Sequence, residues 1–347
     1  MKFFVKKIFK ENKNSYLYRT SSWVYKNYFP YINVITNMFY DTYFYCKHSN
    51  VFSINTLNKI EAKIILDYHS IEKGLLFPKT KYGFAKDKIK RLNKLLKNKE
   101  VLKNSKNSQL LTAYSIMCEY YELHKKNNFD ISVYYSEDDY LLYKETLDSL
   151  YNPDFKGFYS YSKETFFHHS QSPFDKFSES RKSVRNFTKN KIDDTLIENA
   201  IALSKNAPSV CNRQPSKVYY INDKMKIDKI LEMQSGLNGF SKDILQLLIV
   251  TTDVNYYYSI GERYQFYIDG GVYLMNLLYA LHFYKIAACP ANWAKEKDDE
   301  KRLKQTVPIK ESEKVICIIA IGEAAPNFRT TLSKRRETKE LLSRIEN

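Results

Sequence analysis

This 347-residue chain predicts an α-helical region followed by a layered domain of the α+β or α/β class. Three observations carry that reading. Residues 1 to about 170 hold apolar positions at helical spacing and nothing with the strict alternation of a half-buried strand. Farther on, Ile244–Thr252 and Lys314–Gly322 are near-continuous apolar runs, the pattern of strands buried on both faces. Helical segments lie before, between and after those runs, so helices and strands interleave around one sheet.

The elements follow in order. Leu57, Ile60, Ile64 and Ile65 place a helix over Leu57–Leu66. Ile89, Leu92, Leu95 and Leu96 line one side of a helix over Asp87–Leu96, with lysines opposite. A third helix spans Ser108–His124 and a fourth Asp138–Leu150. Tyr151–Pro173, rich in aromatics, serine and proline, reads as a linker, which sets a helical region at 1–170 and a second domain at 171–347. In the second domain Asp193 or Asp194 caps a helix that stops at Asn206-Ala207-Pro208. Lys217–Ile221 reads as a short strand and Lys224–Met233 as a helix. Gly261–Ile286 is a helix apolar on almost every face and therefore central, and Lys334–Ile345 is a final helix.

Composition limits the function. With 44% hydrophobic residues the chain can bury a proper core. A formal charge of +16 asks for nucleic acid, an anionic membrane surface or phosphorylated small molecules, unless it reflects a general bias toward Lys, Asn, Tyr and Ile. No nucleic-acid module is recognisable, so no nucleic-acid partner is expected. Five widely spaced cysteines without a C-x-x-C pair argue against a disulfide framework or a structural zinc, and no metal site is expected. Met1–Lys7 lacks the apolar run of a signal peptide. Tyr28–Cys46 is interrupted by Pro30, Asn33, Asn37 and Asp41 and is too polar to span a bilayer, although its aromatics and flanking lysines suit peripheral membrane contact. The expected location is the cytoplasm.

Four clusters carry candidate chemistry. In Arg181-Lys182-Ser183-Val184-Arg185, an extended backbone would point Arg181, Ser183 and Arg185 the same way, and guanidinium forks match phosphate oxygens. A basic surface segment would read similarly. Asn206-Ala207-Pro208-Ser209-Val210-Cys211-Asn212-Arg213-Gln214-Pro215 is a stiff loop offering Ser209, Asn212 and Gln214 to a heteroaromatic edge, or an ordinary helix stop and turn. Asp269-Gly270-Gly271 inside a helix implies close packing or ligand contact against the backbone there. Lys334-Arg335-Arg336 at a helix start opposes the helix dipole unless an anion or a partner carboxylate sits there, or unless these cations are simply solvated.

In this order, Arg-x-Ser-x-Arg, Ala-Pro-Ser-x-x-Asn-x-Gln-Pro, a long glycine-containing helix, a strand ending Ile-Gly and C-terminal basic residues, the segment from Ser178 to Leu342 resembles the nitroreductase family of FMN-dependent oxidoreductases. The resemblance implies an α+β, three-layer fold with a central mixed, mainly antiparallel sheet, preceded here by the helical region. It implies a homodimer with FMN at the subunit interface, and ping-pong electron transfer from NADH or NADPH to a small-molecule acceptor. Arg181, Ser183 and Arg185 would hold the FMN phosphate or lie beside it, with Lys334 and Arg336 as the C-terminal pair. Pro208, Ser209, Asn212 and Gln214 match the loop that approaches the flavin from the other subunit. Asn292 stands in the stretch whose backbone amide faces the flavin ring, where many relatives carry Glu-Gly or Gly-Gly instead of Asn292-Trp293. Ser216 stands where many have Trp. Cys211 and Cys289 read as packing residues. The segment Tyr68-His69-Ser70-Ile71-Glu72-Lys73-Gly74-Leu75 with Tyr82-Gly83-Phe84 looks like an extension of nitroreductase-like proteins from bacterial surface-polysaccharide clusters; His69, Glu72 and Lys73 read either as substrate contacts or as helix-capping residues, the structural role being the simpler reading. Two other functions fit less of the chain: a degenerate flavin-binding scaffold in which Trp293 blocks turnover and the helical half recruits partners, and a basic membrane- or nucleic-acid-associated protein.

Overall fold

A computed structural model describes residues 16–77 and 79–345, with side chains from residue 28 onward. Met1–Lys7, read above for a leader segment, lies outside the described residues. The chain divides into two compact units: residues up to Asn55 with Tyr258–Arg263, and Thr56–Tyr257 with Tyr264 to the C-terminus.

The first unit is built on one long helix, α1 (Tyr16–His48), which continues through Pro30. Arg263 donates to both carboxylate oxygens of Asp41 at 2.6 and 2.8 Å, and so ties the helix to the turn at 260–262. Tyr31, Phe39 and Tyr40 are exposed on α1. None of the described helices is long and apolar enough to cross a membrane.

The second unit begins with α2 (Leu57–Leu75), capped by the Thr56 hydroxyl, then α3 (Lys86–Leu96), α4 (Lys99–Lys103), α5 (Ser108–Lys126) and α6 (Glu137–Leu147). Their apolar faces close over one core that includes Ile64, Ile71, Leu92, Leu110, Ile116 and Tyr143. Helix α2 runs well past the predicted stop at Leu66. Its second half is polar in sequence yet buried, because its polar groups find partners. Arg91 donates to both oxygens of Asp67 at 2.7 Å, and the Tyr68 hydroxyl donates to Gln109 at 2.5 Å. Gly74 is required where it stands, since a Cβ there would strike the Phe84 ring. Gly83, at φ +70°, supplies the left-handed turn that aims Phe84 inward.

Tyr151–Pro173 is not a linker. It contains β1 (Phe158–Ser162), which pairs antiparallel with β6 (Asn327–Thr331) from Phe158↔Thr331 to Ser162↔Asn327, and the short α7 (Lys163–Phe166). The partner strand lies far along the chain, so no local pattern announces it. Helix α8 (Phe174–Ser180) follows.

The main sheet contains β2 (Ser216–Ile221), β3 (Gln246–Asp253), β4 (Ala287–Asn292) and β5 (Glu313–Gly322) in the order β2-β3-β5-β4, every neighbour antiparallel. Leu248 and Val250 of β3 face one core with Ile319 and Ile321 of β5, under α9 (Asp194–Ser204) and α11 (Gln265–Phe283). Leu247 and Ile249 face the other core with Ile318 and Ala320, under α10 (Lys224–Gln234) and α12 (Lys297–Thr306). Both faces are dry, which is why these antiparallel strands read as continuous apolar runs. The result is a three-layer α+β fold. Strand β4 escaped the sequence reading because Ala-Ala-Cys-Pro-Ala-Asn has no strand pattern; Pro290 is tolerated because β4 is an edge strand.

Helix α11 is buried along its C-terminal half, at Leu277, Leu278 and Leu281. Its N-terminal half exposes Tyr267, Ile268 and Val272, so only half of the predicted central helix is covered within one chain. Of the two helix glycines, Gly270 packs against the sheet: a Cβ there would lie 2.6 Å from Ile316 and 2.7 Å from the Thr252 hydroxyl, while Gly271 faces open space. Close packing, not a ligand, accounts for Gly270. The predicted helix over Lys334–Ile345 shrinks to α13 (Thr338–Leu341), with Glu337 and Glu340 forming its capping box. Residues 332–337 carry no regular secondary structure and Ser333 sits at φ 45°, so the basic cluster does not open a helix and the dipole conflict disappears.

Two predictions follow from this packing. Gly270→Ala should lower stability by about 1–3 kcal/mol through overpacking, outweighing the roughly 1 kcal/mol of helix propensity gained; a melting temperature equal to wild type would show that Ile316 simply yields. Glu119 of α5 accepts a hydrogen bond from the Gly157 amide at 2.5 Å, yet burial raises its pKa to about 7. An unfolded glutamate titrates near 4.3, so the native state keeps a proton that the unfolded chain has released. Stability should therefore fall as pH rises from roughly 4 to 7 and level off above, and Glu119→Gln should flatten that slope in denaturant titrations across the range.

Candidate functional site

Residues 181–188 run extended along the outer edge of β4 and past the end of β5. The Val184 amide donates to the Ala288 carbonyl at 3.0 Å, Phe187 bridges Ala324, and the Thr188 amide donates to Glu323 at 2.9 Å. Val184 and Phe187 fill the core, while Arg181 and Ser183 are half-buried beside them. Arg185 is only 9% exposed. The Nε atoms of Arg181 and Arg185 are both buried without a partner, and among the described residues neither side chain pairs with a carboxylate. Arg185 reaches only its neighbour's backbone, the Ser183 carbonyl at 3.5 Å. Other arginines of this molecule behave differently. Arg91 takes Asp67, Arg263 takes Asp41 and Arg336 takes Glu61.

More cations gather around the same place. Burial depresses the pKa of Arg181, and Arg335 depresses it further. Lys182 is lowered by the same two causes in the same order. Lys73 of α2 is lowered by burial, then by Arg185 and Lys88. The Cys289 thiol of β4 is raised by burial against the opposing fields of Arg185, Lys73 and Arg181. His282, whose ring accepts or donates to Ser180 at 2.8 Å, is pushed down to about 4 by burial and then by Arg181. Desolvated positive charges without a counter-ion are costly, and a dianion placed among them would relieve that cost. The donor set fits a phosphate monoester.

The loop from Asn206 to Pro215 takes a strained path, with Cys211, Asn212 and Gln214 at φ 49°, 53° and 52°. Asp269 pins it: one carboxylate oxygen accepts from the Val210 amide at 3.2 Å and from Gln265 at 2.9 Å, the other from the Tyr257 hydroxyl at 2.9 Å. The Ser209 hydroxyl accepts from the Gln214 amide at 2.9 Å, and the Gln214 side chain donates to the Asn212 carbonyl. Pro208, Ser209 and Gln214 border a cavity of about 280 Å³ together with Asp269 and Tyr273. Asn212 and Cys211 are exposed, so Cys211 is not a packing residue, whereas Cys289 is. None of Arg181, Ser183 and Arg185 lines that cavity: a single chain does not bring the loop to the cations.

The C-terminal residues divide. Arg336 is committed to Glu61 at 2.7 and 3.2 Å, and Lys334 is exposed, its carbonyl accepting from Gln109 at 3.2 Å. The cation whose field reaches Arg181 is Arg335. Three adjacent basic residues gave no way to choose among them in sequence. Asn292 is exposed, and its carbonyl accepts from Gln234 at 3.0 Å. Trp293 packs into the core at 4% exposure, with its indole N–H buried and unpartnered.

Residues 179–268 match a family model described as "Nitroreductase family". This segment is a nitroreductase-family domain. It holds Arg181, Ser183 and Arg185, the whole loop from Asn206 to Pro215, and the first residues of α11. Similar solved structures include a nitroreductase-like protein from Streptococcus mutans, 19% identical over 48% of this chain and 94% of that one, TM-score 0.40. A protein from Desulfovibrio desulfuricans, provisionally named a nitroreductase and solved in complex with FMN, is 20% identical over 51% of this chain and 99% of that one, TM-score 0.43. No curated protein matches the chain. The nitroreductase-family segment thus begins at the basic strand and excludes α2–α6, yet Lys73, outside it, faces the same strand.

The coupling between Arg181 and His282 is measurable. Arg181→Gln should raise the His282 pKa above about 4 but leave it below the ordinary histidine value, because burial is the larger cause. An NMR titration of His282 that did not move would separate the two side chains.

Proposed function

We propose that this protein is an FMN-dependent oxidoreductase that uses NADH or NADPH to reduce a small-molecule acceptor, and that it works as a homodimer. The observation that carries the reading is a pair of arginines, Arg181 and Arg185, whose Nε atoms are buried without a partner and which pair with no carboxylate among the described residues, on the strand that opens the segment matching the nitroreductase family model. Bound FMN would supply two-electron transfer between a nicotinamide and the acceptor in ping-pong order.

The chain's own residues have separable tasks. Arg181 and Arg185 hold the phosphate, Ser183 between them offers a hydroxyl, and Arg335 adds charge from the C-terminal segment. Lys334 and Arg336, named with them from the sequence, act around this pocket by flanking Arg335. Pro208, Ser209, Asn212 and Gln214 serve the pocket of a second copy; what supports this is that within one chain Pro208, Ser209 and Gln214 line a cavity that none of Arg181, Ser183 and Arg185 borders, and Asn212 is exposed. The exposed apolar residues Tyr267, Ile268 and Val272 of α11 suit that contact. The Asn292 stretch borders the ring, and because Trp293 is folded into the core it leaves no steric block, which favours turnover over a degenerate scaffold. The Tyr68–Leu75 segment points to an acceptor in surface-polysaccharide synthesis, and α1, aromatic and exposed, is the part suited to a membrane surface from the cytoplasmic side.

The test is direct. The purified chain should carry flavin absorbance, release FMN on denaturation, and bleach with NADH or NADPH. Arg181→Gln combined with Arg185→Gln should give a folded, colourless protein. Full flavin occupancy in that double variant would overturn the phosphate assignment, and a flavin-free wild type that FMN does not reconstitute would overturn the whole reading.

A further inference from the structure

Lys73 lies in the last turn of α2, outside the segment that matches the family model, and no acidic side chain among the described residues pairs with it. The three acids of α2 are all engaged elsewhere. Glu61 accepts from Arg336 at 2.7 Å, Asp67 from Arg91 at 2.7 Å, and Glu72 from the His69 ring at 2.8 Å when that nitrogen is protonated and from the Ser333 amide at 3.3 Å. Among the described residues no carboxylate forms an ion pair with Lys73. What it faces is more positive charge. Arg185 and Lys88 both disfavour its charged form, on top of partial burial, and its own field reaches the Cys289 side chain together with those of Arg185 and Arg181. Arg185 supplies the second observation: it is only 9% exposed, with a buried Nε that has no partner. A buried guanidinium and a partly buried ammonium that disfavour each other's charge are a poor arrangement unless an anion lies near both.

We propose that Lys73 is a phosphate ligand of the cofactor pocket, so that the helical region completes that pocket instead of standing beside it. The same region also sets the opposite wall. Glu61 holds Arg336, Gln109 of α5 donates to the Lys334 carbonyl, and Glu72 takes the Ser333 amide, which together present Arg335 toward Arg181. Arg329 of β6 donates to the Leu75 carbonyl at 3.0 Å, two residues beyond Lys73, and locks the helix end to the strand. Removing the helical region would therefore cost the pocket one cation outright and the support of another. The identity of the anion as a flavin phosphate rests on the function proposed above; the existence of a pocket for a phosphate does not.

The experiment uses the full-length chain freed of flavin, titrated with FMN and with riboflavin, which lacks the phosphate. Wild type, Lys73→Met and Lys73→Arg are compared. We expect Lys73→Met to weaken FMN binding about tenfold or more, as for loss of a charge-assisted hydrogen bond, with riboflavin unchanged and Lys73→Arg recovering most of the loss. Unchanged FMN affinity in Lys73→Met overturns the inference and leaves the flavin reading intact. Equal losses for FMN and riboflavin also overturn it, since Lys73 would then act on the fold and not on the phosphate. Should wild type bind no FMN, the flavin reading fails, and inorganic phosphate followed through the His282 resonance decides about Lys73: weaker phosphate binding in Lys73→Met upholds the pocket, and equal or absent binding removes it.

Discussion

Burial of positive charge without a counter-ion is the constraint around which this structure is arranged. A guanidinium taken out of water is tolerated when a carboxylate or a network of acceptors replaces the lost hydration. Asp67, Asp41 and Glu61 do that for Arg91, Arg263 and Arg336. Among the described residues no carboxylate does it for Arg181 and Arg185, which are fixed on a strand whose backbone bonds to β4 and whose Val184 is locked in the core. The strand cannot swing outward to rehydrate them without giving up Val184 and the bond to Ala288. The fold thus holds a local charge imbalance in place, and an anionic ligand is what would relieve it.

The three-layer architecture makes that imbalance possible. With both faces of β3 and β5 covered, the sheet is rigid, and its β4 edge presents a flat, partly dry surface. Onto that edge the basic strand docks from one side, α11 brings His282, and α2 brings Lys73. The cost of burying the histidine neutral is modest because Ser180 shares its ring nitrogen's hydrogen bond and the rings of Phe166, Phe167 and Phe177 surround it.

Much of this was legible in sequence, for identifiable reasons. Strands β3 and β5 and helices α3, α5, α9 and α10 announced themselves because their burial is uniform along one or both faces, which is what periodicity detects. Where burial depended on distant partners, the pattern failed. Strand β1 has no apolar run of its own and exists because β6 pairs with it; β4 carries a proline that only an edge position allows. The second half of α2 looked polar because Asp67, Tyr68 and Glu72 are buried with partners from α3, α5 and the C-terminal segment. At the candidate site, Arg181 and Arg185 were visible as an alternating pair, whereas Asp269 and Lys73, though both stand in segments notable in sequence, carry no local sign that one holds the Val210 amide and the other shares the field of Arg185.

The choice among Lys334, Arg335 and Arg336 shows how a fold converts a run of like residues into distinct roles. Among the described residues Arg336 pairs with a carboxylate, whereas Arg335 donates to the Ser333 carbonyl at 3.0 Å and Lys334 is exposed. The bidentate pairing of Glu61 with Arg336 holds that guanidinium at α2, while Arg335 is the cation of the three whose field reaches Arg181 and Lys182. A carboxylate in the helical region thus commits one of three adjacent cations and leaves its neighbour's charge to the basic strand. Glu61 and Lys73 both lie on α2, one bonded to Arg336 and the other within the field of Arg185, so this helix is tied to the C-terminal segment and acts electrostatically on the basic strand at once.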